Sequence, residues 1–197
     1  MVSSGLIDRV DVSHYRLSLH LFLAFLILSL VYWKYLKLSN IQKFSNVFKP
    51  ILVKIFLILL FIQLIIGALV SGMDAGKIYN TWPLMGSSYF PDDNKFINIF
   101  SSKVFDDASI VQFFHRNLAY LILLFYIYFF IVTLKKKIKI LYNPIILIGL
   151  SLLLQIVLGI LIILSGAKIY YASLHQINSI LLISSSVYFL FLNNLRT

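Results

Sequence analysis

Five long apolar runs, each close to the roughly 20 residues that cross a bilayer as a helix, dominate this chain. They lie at about Tyr15–Leu36, Ile51–Ser71, Ile110–Leu134, Ile145–Leu164 and Tyr171–Leu192. A segment in lipid has no water to satisfy its N–H and C=O groups, so it must be a helix or part of a closed barrel. The runs show no polar–apolar alternation, which predicts helices. The expected fold is an all-α integral membrane protein with five transmembrane helices. Only 12% of the residues are charged, about half the share of a soluble domain.

The net charge of +10 is a topology signal rather than a nucleic-acid footprint. Lys34, Lys37, Lys43, Lys49 and Lys54 surround one short connection, Lys135, Lys136, Lys137 and Lys139 form another, and Arg196 is near the end. No acid accompanies these cations. The remaining seven cations share the alternate segments with all seven aspartates and are balanced by them. Positive-inside logic places the lysine-rich side in the cytoplasm, the N-terminus outside and the C-terminus inside. Residues 1–14 are polar and lack the basic, apolar and small-residue order of a signal peptide. The chain contains neither cysteine nor glutamate, which excludes disulfides, thiolate metal sites and cysteine nucleophiles.

One connection, residues 73–109, is long. It holds Pro83, Pro91, five of the seven aspartates and the aromatic residues Tyr79, Trp82, Tyr89 and Phe90. A loop of this length in a compact protein is often functional.

The second and fourth runs are alike. Gln63-Leu64-Ile65-Ile66-Gly67, ending at Ser71-Gly72, resembles Gln155-Ile156-Val157-Leu158-Gly159, ending at Ser165-Gly166. Each is followed by an outer loop and a helix with an early histidine, His115 or His175. Repeats of the same sense are related by an axis along the membrane normal. The last four spans are therefore expected to form a pseudo-two-fold four-helix bundle with His115 and His175 opposed at equal depth.

An intramembrane histidine is costly and usually functional. The bland alternative is an interhelical hydrogen bond. Neutral imidazole also suits iron, copper or zinc. Zinc would ordinarily want further ligands, and no Cys or Glu is available. A haem iron needs only two axial imidazoles and an apolar slot. Gly67 and Gly159 are small enough to admit a flat ligand, or simply let helices approach. Arg116 could pair with a haem propionate or snorkel to headgroups. His20, early in the first span, has no obvious partner, with His14 placed in the preceding loop. Met73 and Met85 are poor ligand candidates in the long loop.

At these residues the chain resembles the haem A synthase family. The matching stretches are Gly67-Ala68-Leu69-Val70-Ser71-Gly72-Met73-Asp74-Ala75-Gly76, Tyr79-Asn80-Thr81-Trp82-Pro83-Leu84-Met85-Gly86, Gln112-Phe113-Phe114-His115-Arg116-Asn117-Leu118-Ala119-Tyr120 and Leu174-His175-Gln176. Asp8-Arg9-Val10 and Tyr15-Arg16-Leu17, with His20, extend the likeness toward the N-terminus. The Asp-Ala-Gly and Asn-Thr-Trp-Pro-Leu-Met elements resemble the proteobacterial and mitochondrial type.

The resemblance implies eight spans in two pseudo-symmetric halves, of which this chain resembles the last five. Residues 1–50 would then be a remnant of the N-terminal half carrying its last span, and residues 51–197 the C-terminal haem b domain. His115 and His175 would be the axial ligands of haem b, with Arg116 beside them, and His20 the second histidine of the half that binds substrate haem O. The glutamate held to be catalytic in that half has no counterpart here, because the chain contains none. The implied reaction oxidises the C8 methyl of haem O to a formyl group, giving haem A, with oxygen from water and electrons leaving through haem b. Loop 73–109 would cap the haem edge, meet an electron acceptor, or merely pack on the bundle. The implied partners are haem O, membrane lipid, a separate N-terminal half or a second copy of the chain, and haem O synthase. The expected location is the bacterial inner membrane. The alternatives are a cytochrome b-like electron-transfer subunit using the same two histidines, and a cofactor-free transporter or assembly protein.

Overall fold

The computed structural model describes residues 13–39, 41 and 47–193. The described residues are helical apart from turns and one isolated bridge between Met85 and Ser88. The five long helices are α1 (His14–Leu38), α2 (Pro50–Gly72), α3 (Ala108–Lys135), α4 (Tyr142–Leu164) and α5 (Ile169–Asn193). Each is long and apolar enough to cross a membrane, α4 together with the 3-10 turn Lys139–Leu141 that leads into it. Asp8, Arg9, Asp11, Lys43 and Arg196 lie outside the described residues.

Local chemistry sets the helix ends. Pro50 opens α2, where its missing N–H and fixed φ cost nothing. Asp107 caps α3 by accepting from the N–H of Ile110 at 3.1 Å. Gly166, at φ +72°, adopts the left-handed conformation just past α4 that closes many helices. Gly72 ends α2 for another reason. A Cβ there would lie 2.8 Å from the Cα of His14, so the glycine lets α1 cross α2 closely. His14, placed in a loop by its polar flank, is instead the first residue of α1. Its Nε2 lies 3.4 Å from Asp106 Oδ1, which also accepts from Tyr15 Oη at 2.7 Å.

The helices close a ring. α2 packs on α3 and α5, α4 packs on α3 and α5, and α1 lies outside against α2 and α5. This arrangement puts α3 diagonal to α5 and α2 diagonal to α4, as two like hairpins related by a central axis would. At the lysine-bearing end the bundle is dense. One apolar cluster joins Phe48, Phe56, Phe129, Ile148, Val187 and Phe189 across the helices. Asn193 closes that end by accepting from the Phe48 N–H at 2.9 Å and donating to its carbonyl at 3.1 Å. At the histidine-bearing end a separate, smaller cluster of Ile66, Leu69 and Val111 takes over. There Ser173, Leu174, Gln176 and Ile177 of α5 are exposed, whereas Leu182, Ile183 and residues 185–193, apart from Tyr188, are buried.

Candidate functional site

His115 lies seven residues into α3 and His175 six residues into α5. At 1.5 Å per residue both sit roughly 10 Å below the same end of the bundle. Each ring packs over a glycine of the preceding helix in its own hairpin. A Cβ on Gly67 would lie 2.9 Å from His115 Cε1, and one on Gly159 would lie 3.6 Å from His175 Cε1. Each glycine stands five residues before the end of its helix, so the repeat is geometric as well as sequential. Both imidazoles are partly accessible, and in both the Nδ1 atom is buried without a hydrogen-bond partner.

The glutamines that open the repeat take unequal roles. Gln63 Nε2 donates to the His115 carbonyl at 3.0 Å and stands 3.3 Å from its ring Nε2. Gln155 Oε1 instead accepts from Asn178 at 2.9 Å, and Asn178 also donates to the Ser151 carbonyl at 2.8 Å. Asn178 stands one turn beyond His175 and satisfies a polar group that burial would otherwise leave costly. Its role was not read from the sequence, where one asparagine in an apolar run carries little signal.

The glycine spacings differ enough to separate two substitutions. A Cβ contact of 2.9 Å is closer than real side chains tolerate, whereas 3.6 Å is ordinary van der Waals contact. Gly67→Ala will therefore displace the His115 ring and lower thermal stability, and Gly159→Ala will be near neutral. Parallel melting curves in detergent check this; equal losses for the two variants would contradict the geometry.

Arg116 is buried at 8% exposure and organises the long loop. Its Nη1 donates to the carbonyls of Thr81 at 3.0 Å and Leu84 at 3.3 Å, and its Nη2 to that of Tyr79 at 3.1 Å. Its Nε has no partner. Gln112, buried at 2%, adds a bond to the same Tyr79 carbonyl at 3.2 Å. Trp82 Nε1 donates to Tyr120 Oη at 3.2 Å, and Tyr89 Oη donates to Asn117 at 2.6 Å. The stretch from Tyr79 to Tyr89 is thus a folded cover bound to Gln112, Arg116, Asn117 and Tyr120 of α3. Met85, at 1% exposure, fills its interior. His20 is exposed on α1, and no hydrogen bond involves it among the described residues.

Two aspartates knit the cover. The Ser87 N–H at 2.6 Å and the Ser88 hydroxyl at 2.8 Å hold the Asp92 carboxyl below its ordinary value of 3.8. Burial pushes Asp93 up, but bonds from Ser109, Tyr79 and Asn94 outweigh it and hold this carboxyl low as well. A depressed carboxyl contributes stability above its unfolded value, and that contribution is lost as pH falls through the lower folded value. Trp82 emission will therefore hold steady from pH 8 to 5 and change only below the ordinary carboxylate range. Asp92→Asn will show the acid-type spectrum at neutral pH; an emission change centred near pH 6.5 would implicate histidine instead.

Fold and site together define a multi-pass membrane protein built on two like hairpins, each with a histidine near one end. The chain belongs to the COX15-CtaA family, described as cytochrome oxidase assembly protein, which it matches over residues 1–187. It is 45% identical over 98% of its length to a protein of Pelagibacter ubique named Heme A synthase. It is 40% identical over 96% of its length to the Heme A synthase of Wolbachia pipientis wMel, and 36% identical over 93% to that of Rickettsia bellii. The chain spans 56%, 54% and 56% of these relatives' own lengths. No solved structure matches it.

Proposed function

We propose that this chain is the haem b-holding portion of a haem A synthase, with His115 and His175 as the axial ligands. The observation that carries this reading is the matched pair itself: two imidazoles at like depth on diagonal helices, each over a glycine, each with a buried Nδ1 lacking a partner. The donor set fits a macrocycle. Among the described residues no three His, Asp or Glu side chains converge, so a bare metal ion would be short of protein ligands, whereas a porphyrin brings its own four nitrogens. The thinner core at this end, with the exposed flank of α5, is where an apolar group would complete the packing.

When bound, haem b supplies a one-electron couple. The residues around it hold, orient and shield. His115 and His175 would hold the iron and keep other ligands off it. Gln63, through the His115 carbonyl and ring, fixes the orientation of that imidazole. The unpartnered Arg116 Nε is the donor left for a propionate once its Nη groups have bound the cover. The cover from Tyr79 to Tyr89, bound to the neighbouring Arg116, would limit water at this end of the bundle.

Residues 51–197 form the haem b unit in this reading, and residues 1–50 carry part of a haem O site through His20. Conversion of haem O to haem A requires a complementary portion with the Glu-x-x-His element that this sequence lacks. The lysine-bearing end faces the cytoplasm of a bacterial inner membrane. The direct test is co-expression with such a portion and extraction of haem. Haem A in the joint preparation, with haem b alone in the single one, is the expected result. Haem b in both and haem A in neither would favour the electron-transfer subunit, and colourless protein would favour a cofactor-free role.

A further inference from the structure

The long loop carries an apolar segment that its folded cover leaves outside. Residues Phe96–Phe100 form a 3-10 helix in which Phe96 is 67% exposed, Ile97 68% and Phe100 76%. In a 3-10 helix residues i and i+3 eclipse one another. Lys95, Asn98 and Ser101 therefore share one side, Phe96 and Ile99 a second, and Ile97 and Phe100 a third, so two of the three sides are apolar.

Aromatic contacts fix the height of this segment. The Phe96 ring lies 5.8 Å from that of Phe90, which lies 5.1 Å from Phe113. Phe113 is five residues inside α3, about 7 Å along the helix from its first residue. The adjoining 3-10 turn Val104–Asp106 packs on the start of α3, and Asp106 bonds Tyr15 at the start of α1. The exposed rings are therefore held beside the helix ends. Lys95 and Lys103 flank the segment, are exposed, and take part in no ion pair among the described residues.

We propose that Phe96–Phe100 is an interfacial anchor, with its apolar sides in the headgroup–acyl boundary and Lys95 and Lys103 on anionic lipid phosphates. Seated there, the segment ties the loop held by Arg116 to the membrane surface. Its occupant is lipid because continuous aromatic packing carries it down to the span, and because two of its three sides are apolar and exposed. The inference needs only that the helices cross a membrane; it stands or falls separately from the haem assignment.

The absence of cysteine makes a clean test available. Phe96→Cys, Ile97→Cys, Phe100→Cys and Asn98→Cys, each labelled with a nitroxide in the full chain, are reconstituted into phosphatidylethanolamine–phosphatidylglycerol vesicles. Power-saturation EPR then compares access of oxygen, which partitions into lipid, with that of a water-soluble nickel chelate. Oxygen access will exceed nickel access at positions 96, 97 and 100, with the reverse at 98. Nickel access dominating at all four would place the segment in water. Exclusion of both reagents would mean that protein covers it, a second copy or another partner. Either result overturns the proposal. Lys95→Glu with Lys103→Glu will move the labels toward the nickel side in phosphatidylglycerol-containing vesicles only; an equal shift in neutral vesicles would remove the phosphate contact from it.

Discussion

Replacing His115 or His175 with alanine will remove the reduced-minus-oxidised haem b signal from the purified protein. In the proposed site both imidazoles would be needed to hold the iron, so neither would substitute for the other. Changes one shell away from a metal ligand typically cost 10–100-fold in affinity, and loss of a ligand itself should cost more than that. Alanine also leaves space above Gly67 or Gly159 where the ring stood. Free imidazole added to His115→Ala should therefore recover part of the low-spin spectrum. His20→Ala serves as the control, because His20 stands exposed on α1, outside the four-helix ring. Full haem b content in both ligand variants would end the assignment, and so would an equal loss in His20→Ala.

Arg116→Ala will detach the cover without unfolding the bundle. It withdraws a buried guanidinium from the carbonyls of Tyr79, Thr81 and Leu84 at once. Bonds from a charged donor are each worth more than neutral ones, and carbonyls stranded by their loss add a desolvation cost, so the change should destabilise the loop by about 3 kcal/mol. Limited proteolysis within residues 73–109 should accelerate strongly, while the dense cluster around Phe56 and Phe129, at the far end, keeps the helices assembled. Arg116→Lys will recover only part of the loss, since one ammonium lacks the planar fork that reaches three carbonyls. Unchanged proteolysis would show that Gln112 and the Trp82–Tyr120 bond are enough to hold the cover.

Of the site, the sequence disclosed the two histidines and their symmetry, because a duplicated hairpin repeats its glutamine, glycine and histidine at matching positions. It did not disclose the ties around them. Arg116 was read as facing a propionate or headgroups, and its Nη groups turn out to hold loop carbonyls contributed by residues more than thirty positions away. Gln155, aligned with Gln63 in the repeat, bonds Asn178 in place of a histidine carbonyl. Hydrogen bonds of this kind depend on which backbone groups the folded loop leaves unpaired, and no periodicity records that.

By itself the sequence determined five helices long and apolar enough to cross a membrane, and the places of His115 and His175 near the start of two of them. Lipid permits few backbone solutions, and hydropathy, charge and spacing along one helix are all local properties. Only the tertiary structure decided that α3 and α5 stand diagonal, that Gly67 is tighter against its ring than Gly159, and that the loop folds over Arg116 while presenting Phe96–Phe100 outward. Those features come from packing between segments distant in the chain, where shape and unpaired polar groups, rather than residue order, select the partner.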